Sequence, residues 1–292
     1  MASMRDIKRR KQSVESTQQI TKAMKLVSTV KLQRAKQRAE QNKAYFNSIY
    51  DTVNSILSRS GTIDHPFLKT GRPGKKAVIM LTGNRGLAGG YNSNIIKLVT
   101  KNDEFTKDNT KIYAVGRKGR DTMTRLGFEV NSDYIDVIEE PLYNDAMDIA
   151  RDVLAAYEAG EISEIYIAYT FFKNTVSHVP TLMKLLPVDI EQESIEEQQG
   201  VDRNKVFAPM NFEPADDEAL GMIIPKYVSS LMFGALVEAV ASENGARMQA
   251  MDSATNNAAE IIDNLSLLYN RARQGSITQE LTEIIAGADA IS

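Results

Sequence analysis

The sequence predicts an α/β fold: an antiparallel coiled coil of long N- and C-terminal helices plus a central Rossmann-like α/β domain. Three observations carry this. Residues 3–58 contain neither Pro nor Gly and are rich in strong helix formers. Residues 75–190 alternate short apolar runs with helical patterns, which argues for a largely parallel sheet. From 215 to about 288 a second long helical pattern closes the chain. Residues 1–60 and 215–288 are therefore expected to form the coiled coil, 75–190 the α/β base, and 191–214 an acidic connecting loop.

A straight helix of about 55 residues would be roughly 80 Å long, far more than a globular domain needs. Its apolar stripe is thin: Ile7, Val14, Ile20, Met24, Val27, Val30 and Ala35, padded by Thr17 and Thr21. A seam that narrow fits a contact with one other helix. Residues 61–74 carry the glycines and prolines that end it, with His65 beside Pro66 as a loop or cap residue. A buried strand at 75–82 leads into a glycine-dense turn at 83–90. Helices follow at 91–100, 117–126 and 144–159, and strands at 111–115, 164–172 and 175–190.

The segment 191–217 is acidic, holds Pro209 and Pro214, and shows no period. Pro225 is expected to kink the second long helix near its start. Apolar residues recur at three-four spacing at Ile224, Tyr227, Val228, Leu231 and Ala235, then at Ala258, Ile261, Leu265, Leu268 and Ala272. Ten of the 21 residues from 239 to 259 are Ala, Ser or Gly, so this stretch should lie close against the N-terminal helix. Neither helix keeps a strict heptad, and the five-residue step from Ala272 to Ile277 should rotate the stripe.

The formal charge of −3 hides an asymmetry. Residues 1–43 hold twelve Lys or Arg against Asp6, Glu15 and Glu40, a net of +9 that leaves −12 on the remainder. A basic arm on an acidic body implies an acidic partner for the arm: nucleic acid, a membrane, or an acidic protein surface. There is no Cys and no Trp, which excludes disulfides, thiolate metal sites and a cysteine nucleophile, and His65 and His178 leave little room for imidazole chemistry. No continuous run of about eighteen apolar residues and no signal or transit pattern is present, so a cytoplasmic chain is expected.

Two chemical classes stay open at this point. The turn at 83–90, after a strand and before a helix, could cradle a phosphate, yet its spacing is not GxGxxG and no Gly-Lys-Ser/Thr follows. A tight strand-to-helix turn is the simpler use, and neither His178 nor Asp216, Asp217 and Glu218 has the partners that metal or acid-base chemistry needs. A nucleic-acid binder would use the basic arm, but no aromatics interleave it before Tyr45 and Phe46. Glu243 and Arg247, at i and i+4, read as a structural pair.

Three ordered motifs give the chain a resemblance. Near the N-terminus stand Ile7-Lys8, Ser13-Val14 and Ile20-Thr21-Lys22-Ala23-Met24-Lys25-Leu26-Val27; later come Ser242-Glu243-Asn244-Gly245-Ala246-Arg247-Met248-Gln249-Ala250-Met251; the last is Ile277, Thr278, Glu280, Glu283, Gly287 and Ala288. Over nearly its whole length the sequence resembles the gamma subunit of F-type ATP synthase, of bacterial type. It departs from the family pattern at Ala88, where Cys is usual, at Lys11, where an apolar residue is common, and at Gly275, where Ala is common. The regulatory cysteine pair of chloroplast members is missing.

The resemblance implies a non-catalytic rotor shaft that couples rotation of a proton-driven c-ring to conformational change at the beta-subunit catalytic sites. Implied partners are the alpha and beta subunits, the epsilon subunit and the c-ring, with no nucleic acid, no cofactor and no metal. The location would be peripheral, on the cytoplasmic face of the bacterial plasma membrane, with membrane contact only through the c-ring sector. Arg273 and Gln274 resemble positions that hydrogen-bond a loop of beta, and a guanidinium fork suits a carboxylate-rich target. Lys22, Met24 and Lys25 are expected at the same level of the shaft, Met24 beside Arg273. Thr278, Glu280 and Glu283 would hold the N-terminal helix or beta. Val206, Phe207 and Asn211 are the expected contacts to the c-ring or epsilon.

Overall fold

Five strands hold the middle of the chain: β1 (Lys75–Leu81), β2 (Thr110–Val115), β3 (Glu129–Asn131), β4 (Ile162–Phe172) and β5 (His178–Leu186). They come from a computed structural model that describes residues 4–59, 65–131, 133–188 and 216–289. The acidic connection 191–214, with Val206, Phe207 and Asn211, lies outside the described residues. The strands form one sheet in the order β3-β2-β1-β4-β5, parallel throughout except for β5, which runs antiparallel to β4. β1 reads as a nearly unbroken apolar run because both of its faces are covered.

Alternate residues of β1 feed two cores. Val78 and Met80 pack with Ile95 and Val99 of α2 (Tyr91–Thr100) and Met123 of α3 (Arg117–Leu126). Ala77, Ile79 and Leu81 face the other way, onto Ile149 and Val153 of α4 (Tyr143–Glu158) and onto the last helix, α5 (Asp216–Asp289). Helices on both faces of a mostly parallel sheet are the doubly wound arrangement that the alternating pattern predicts. The first helix, α1 (Met4–Arg59), contributes Ala39 and Ile49 to the second core.

The residues divide into two compact units, Thr29–Arg247 and the pair Met1–Ser28 with Met248–Ser292. α1 and α5 each supply residues to both.

Several expectations change. The last strand is shorter than 175–190, because the Asn174 side chain accepts the Val176 and Ser177 amides and turns the chain before His178. β3 and a 3-10 turn at Ile135–Glu139 were not foreseen; both are too short to show a period. α5 runs unbroken through Pro225, whose missing amide falls opposite the Gly221 carbonyl. In the first half of the small-residue stretch the close approach is made to the sheet: Ser242 donates to the Thr170 carbonyl at 2.9 Å, and Gly245 lies under His178. By composition α5 is apolar enough to cross a membrane, but 67% of that window is buried in the protein, as a core helix requires.

One polar group in this core has a measurable consequence. Glu238 of α5 has a buried carboxylate oxygen with no hydrogen-bond partner, and burial pushes its carboxyl from 4.5 up to about 8. Between those values the folded chain holds a proton that the unfolded chain has lost. The residue's contribution to stability is therefore greatest below pH 4.5 and is lost as pH rises through 8. Replacing Glu238 with Gln should raise stability at pH 8.5 by roughly 1–3 kcal/mol and flatten this dependence. Urea denaturation of the two chains at pH 6 and 8.5 measures it, and equal slopes would contradict the assignment.

Candidate functional site

Residues 4–28 of α1 and 248–289 of α5 pair along a seam. Gln18 donates to the Thr255 carbonyl at 3.5 Å, Thr21 and Thr255 share a hydroxyl contact at 2.7 Å, and the Lys25 ammonium meets Asp252 at 2.5 Å. Rising numbers on one helix meet falling numbers on the other, so the pair is antiparallel. On α1 the seam runs through Ile7, Lys11, Val14, Gln18, Thr21, Lys25 and Ser28, spaced alternately by four and three, with Met4, Glu15 and Met24 half-buried as well. On α5 it runs through Met251, Thr255, Ala258, Ile262, Leu265, Tyr269, Ala272 and Ser276 with the same alternation, and Met248, Ala250, Asp252, Ala254, Ala259 and Ser266 are half-buried beside it.

The expected stripe holds at Ile7, Val14, Thr21, Met24 and Ala35 on α1 and at Ala258, Leu265 and Ala272 on α5, and changes elsewhere. Ile20 and Val27 are exposed, as is Val30 in the larger unit, while on α5 Ile261 and Leu268 give way to Ile262 and Tyr269. The rotation expected at Ala272 to Ile277 is not there; the spacing continues to Ser276. The physical reason is that small and hydroxyl side chains let two helices come close, and lysine stems cover apolar surface with the ammonium outside. Lys11, at a position where the family favours an apolar residue, does this, with its ammonium 3.8 Å from Glu15.

Beyond Ser276 every residue of 277–288 is exposed, including Ile277, Leu281, Ile284 and Ile285. Arg273, Gln274, Thr278 and Glu280 are exposed too. Thr278 donates to the Gln274 carbonyl, Ser276 reaches Glu280 at 3.4 Å and Gln279 reaches Glu283 at 2.9 Å, so these bonds stay within α5 rather than holding α1. Lys22 is exposed and Met24 half-buried. The expected common level fails: Met24 lies beside Lys25, level with Asp252, and Arg273 is 21 residues farther along α5. That is about 32 Å at 1.5 Å per residue.

A second constellation lies at the carboxyl ends of β1 and β4, where an open α/β sheet usually receives its ligand. In this chain α5 fills the crevice. The Glu243 carboxylate comes so close to Gly83 that a Cβ there would lie 2.7 Å from its Oε1. Arg247 pairs with Glu243 at 2.5 Å and donates to the Gly86 carbonyl at 3.3 Å, with side-chain exposures of only 13% and 11% for Arg247 and Glu243. Asn92 accepts the Gly83 amide at 2.8 Å, and Asn84 caps α3 by accepting the Arg117 amide at 2.9 Å. The Gly83 amide and the Gly86 carbonyl are thus spent on the chain itself. Tyr91 is buried beside the pair with its hydroxyl unpartnered; burial, then the Glu243 charge, raises its pKa well above 10.

Sequence reasoning read Glu243 and Arg247 as a structural pair, as they are, without placing them in the crevice, and missed Asp252 and Thr255. Lysine at a heptad position opposite an aspartate was the available signal. Among the described residues no group of three or more His, Asp or Glu could hold a metal ion. Tyr45, the first aromatic near the basic arm, is engaged by Tyr143 with ring centroids 6.0 Å apart.

Comparison with known proteins bears on what these features serve. A family model described as ATP synthase matches residues 3–291. The ATP synthase gamma chain of Lachnoclostridium phytofermentans is 62% identical over 292 residues, covering 100% of both chains. The chain belongs to the ATP synthase gamma family. The ATP synthase gamma chain of Alkaliphilus metalliredigens is 41% identical over 99% of this chain and 98% of its own. A relative from Acetobacterium woodii, described as sodium ion specific, is 39% identical over 99% of each chain. Among solved structures, the Euglena gracilis mitochondrial ATP synthase (OSCP/F1/c-ring, rotational state 3) contains a chain of the same fold, with a TM-score of 0.66 and 18% identity over 99% of this chain and 94% of that one. A chain of the Tetrahymena thermophila central stalk and c-ring gives a TM-score of 0.58 at 23% identity, over 80% of this chain and 99% of that one.

For a gamma chain the filled crevice is an attachment of α5 to the sheet. Replacing Arg247 with Ala strands the Glu243 carboxylate in a nearly dry site, which costs about 3 kcal/mol. Replacing Glu243 with Gln in the same chain should recover part of that loss. A denaturation midpoint that moves by no more than a surface pair would cause contradicts the attachment.

Proposed function

We propose that this gamma chain is the non-catalytic shaft of its complex, passing rotation of a membrane c-ring to the catalytic sites of surrounding alpha and beta subunits. The observation that carries the reading is the exposed end of α5: residues 277–288 present Ile277, Leu281, Ile284 and Ile285 with no cover from the described residues of their own chain. Apolar side chains in such number are an interaction surface. An alpha-beta ring closing around this end would bury them. Because the helix pair presents a different side to each beta subunit in turn, contact free energies differ, and each beta site shifts between its conformations accordingly.

Arg273 and Gln274 are the proposed hydrogen-bonding contacts to beta, with Thr278 and Glu280 one turn on. Lys22, Met24 and Lys25 form a separate contact level, the one set by Asp252, where the net charge of +9 on residues 1–43 suits an acidic loop of beta. Val206, Phe207 and Asn211 are proposed to meet the c-ring or epsilon. The chain acts without a cofactor of its own, at the cytoplasmic face of the plasma membrane, touching the membrane only through its partners. The coupling ion is proposed to be the proton, and a sodium-specific relative at 39% identity makes the alternative concrete. Neither nucleotide chemistry in the filled crevice nor nucleic-acid binding through the engaged Tyr45 fits as well.

Replacing both Arg273 and Gln274 with Ala, in a reassembled complex in membrane vesicles, should leave assembly intact and lower ATP synthesis about fivefold if the pair supplies roughly 1 kcal/mol of contact. Unchanged synthesis would remove these residues from the interface. The same vesicles, driven by a proton gradient without sodium, identify the ion.

A further inference from the structure

His178 opens β5 and rests on α5. Its Cε1 lies 2.6 Å, and its Nε2 3.1 Å, from the point that a Cβ on Gly245 would occupy, and its ring centroid is 5.7 Å from that of Phe172. Glycine at 245 is what leaves room for the ring. Both ring nitrogens are shut off from water and neither has a partner at full hydrogen-bond geometry; only the Thr175 backbone lies near enough to act as a weak one. A neutral imidazole carries one N–H and tolerates this seat at a cost, whereas an imidazolium carries two and a charge that only the Thr175 backbone helps to accommodate.

We propose that His178 is an acid-sensitive clamp: neutral, it holds the β4–β5 hairpin against α5, and protonated, it releases that contact. The surrounding charges favour the neutral ring. From α1, the Lys36 ammonium lies 4.8 Å from the centre of the Phe172 ring, and so adds positive charge near the site. On α5, Glu243 and Arg247 flank Gly245 but pair with each other and reach the loop at 83–86. Glu238, seven residues before Gly245 and so on the same helix face, is held neutral at pH 7 by its own burial. In the hairpin itself Lys173 is exposed. Burial accordingly lowers the proton affinity of His178, with the Thr175 backbone a smaller opposing influence.

The direction of the effect follows from linkage. An unfolded histidine takes its proton near pH ~6.5, and the folded one only at lower pH. Stability from the clamp is present above the unfolded value and lost as pH falls through the folded one.

The chain has two histidines, so proton NMR of the free full-length protein resolves them, with His65 as internal reference. His178 should titrate below the ordinary value. Amide exchange in the hairpin and in residues 240–247, corrected for intrinsic rate, should accelerate about tenfold between pH 7 and pH 5, equivalent to about 1.4 kcal/mol. In His178→Phe the acceleration should vanish. Gly245→Ala, which favours the helix, should expel the ring and return its titration to the ordinary value. A wild-type His178 titrating at that value, or acid-driven exchange undiminished in His178→Phe, overturns the clamp. All readouts come from the free chain, so their failure leaves the shaft proposal untouched.

Discussion

Seating α5 in the crevice of the sheet is the constraint on which the larger unit depends. In an open α/β fold, the ends of the central parallel strands leave a groove lined by a glycine loop and a helix N-terminus, and many proteins fill it with a phosphate. Here Glu243 supplies the negative charge from within the chain, against Gly83, and Arg247 neutralises it while holding the Gly86 carbonyl. The pair is nearly dry. It therefore demands mutual satisfaction, and it determines how the helix lies over β1 and β4. Ser242 and Gly245 on the same turns then meet Thr170 and His178.

A different balance governs the helix pair formed by residues 4–28 and 248–289. Its seam holds Lys11, Gln18, Thr21, Lys25 and Ser28 on one side, too polar for a strongly cohesive coiled coil. What it gains is closeness and direction: Thr21 against Thr255 and Lys25 against Asp252 are satisfied in only one register. A second set of large apolar residues is turned outward. Ile20, Leu26 and Val27 on α1, and Leu267, Leu268 and the 277–288 end on α5, are available to other subunits. Placing lysine, glutamine and hydroxyl side chains in the seam while leaving large apolar residues outside departs from a self-sufficient domain. It suits a chain whose partners complete its burial.

Sequence and structure agree where the signal is long and periodic. The two terminal helices, the strands around Val78 and Ile165, and the turn at 83–90 were all legible, because burial on both faces and freedom from Pro and Gly leave marks over many residues. They diverge where the decision is made by a few atoms. The stripe read at three-four spacing chose Ile261 and Leu268, whereas packing chose Ile262 and Tyr269; both sets keep a mean period of 3.5, and only the approach of α1 decides between them. Met24 and Arg273 were taken to share a level; the register of Lys25 with Asp252 separates them.

By itself the sequence determined the helices, the doubly wound sheet, the charge asymmetry and, through three ordered motifs, the family. These are properties of pattern and composition, which survive without knowing what touches what. Tertiary structure alone decided that Glu243 fills the crevice, that both nitrogens of His178 are dry, and that Ile20, Val27 and Leu268 face outward from the helix pair. Each of these depends on the approach of segments far apart in the chain, where a shift of one residue exchanges a buried partner for water.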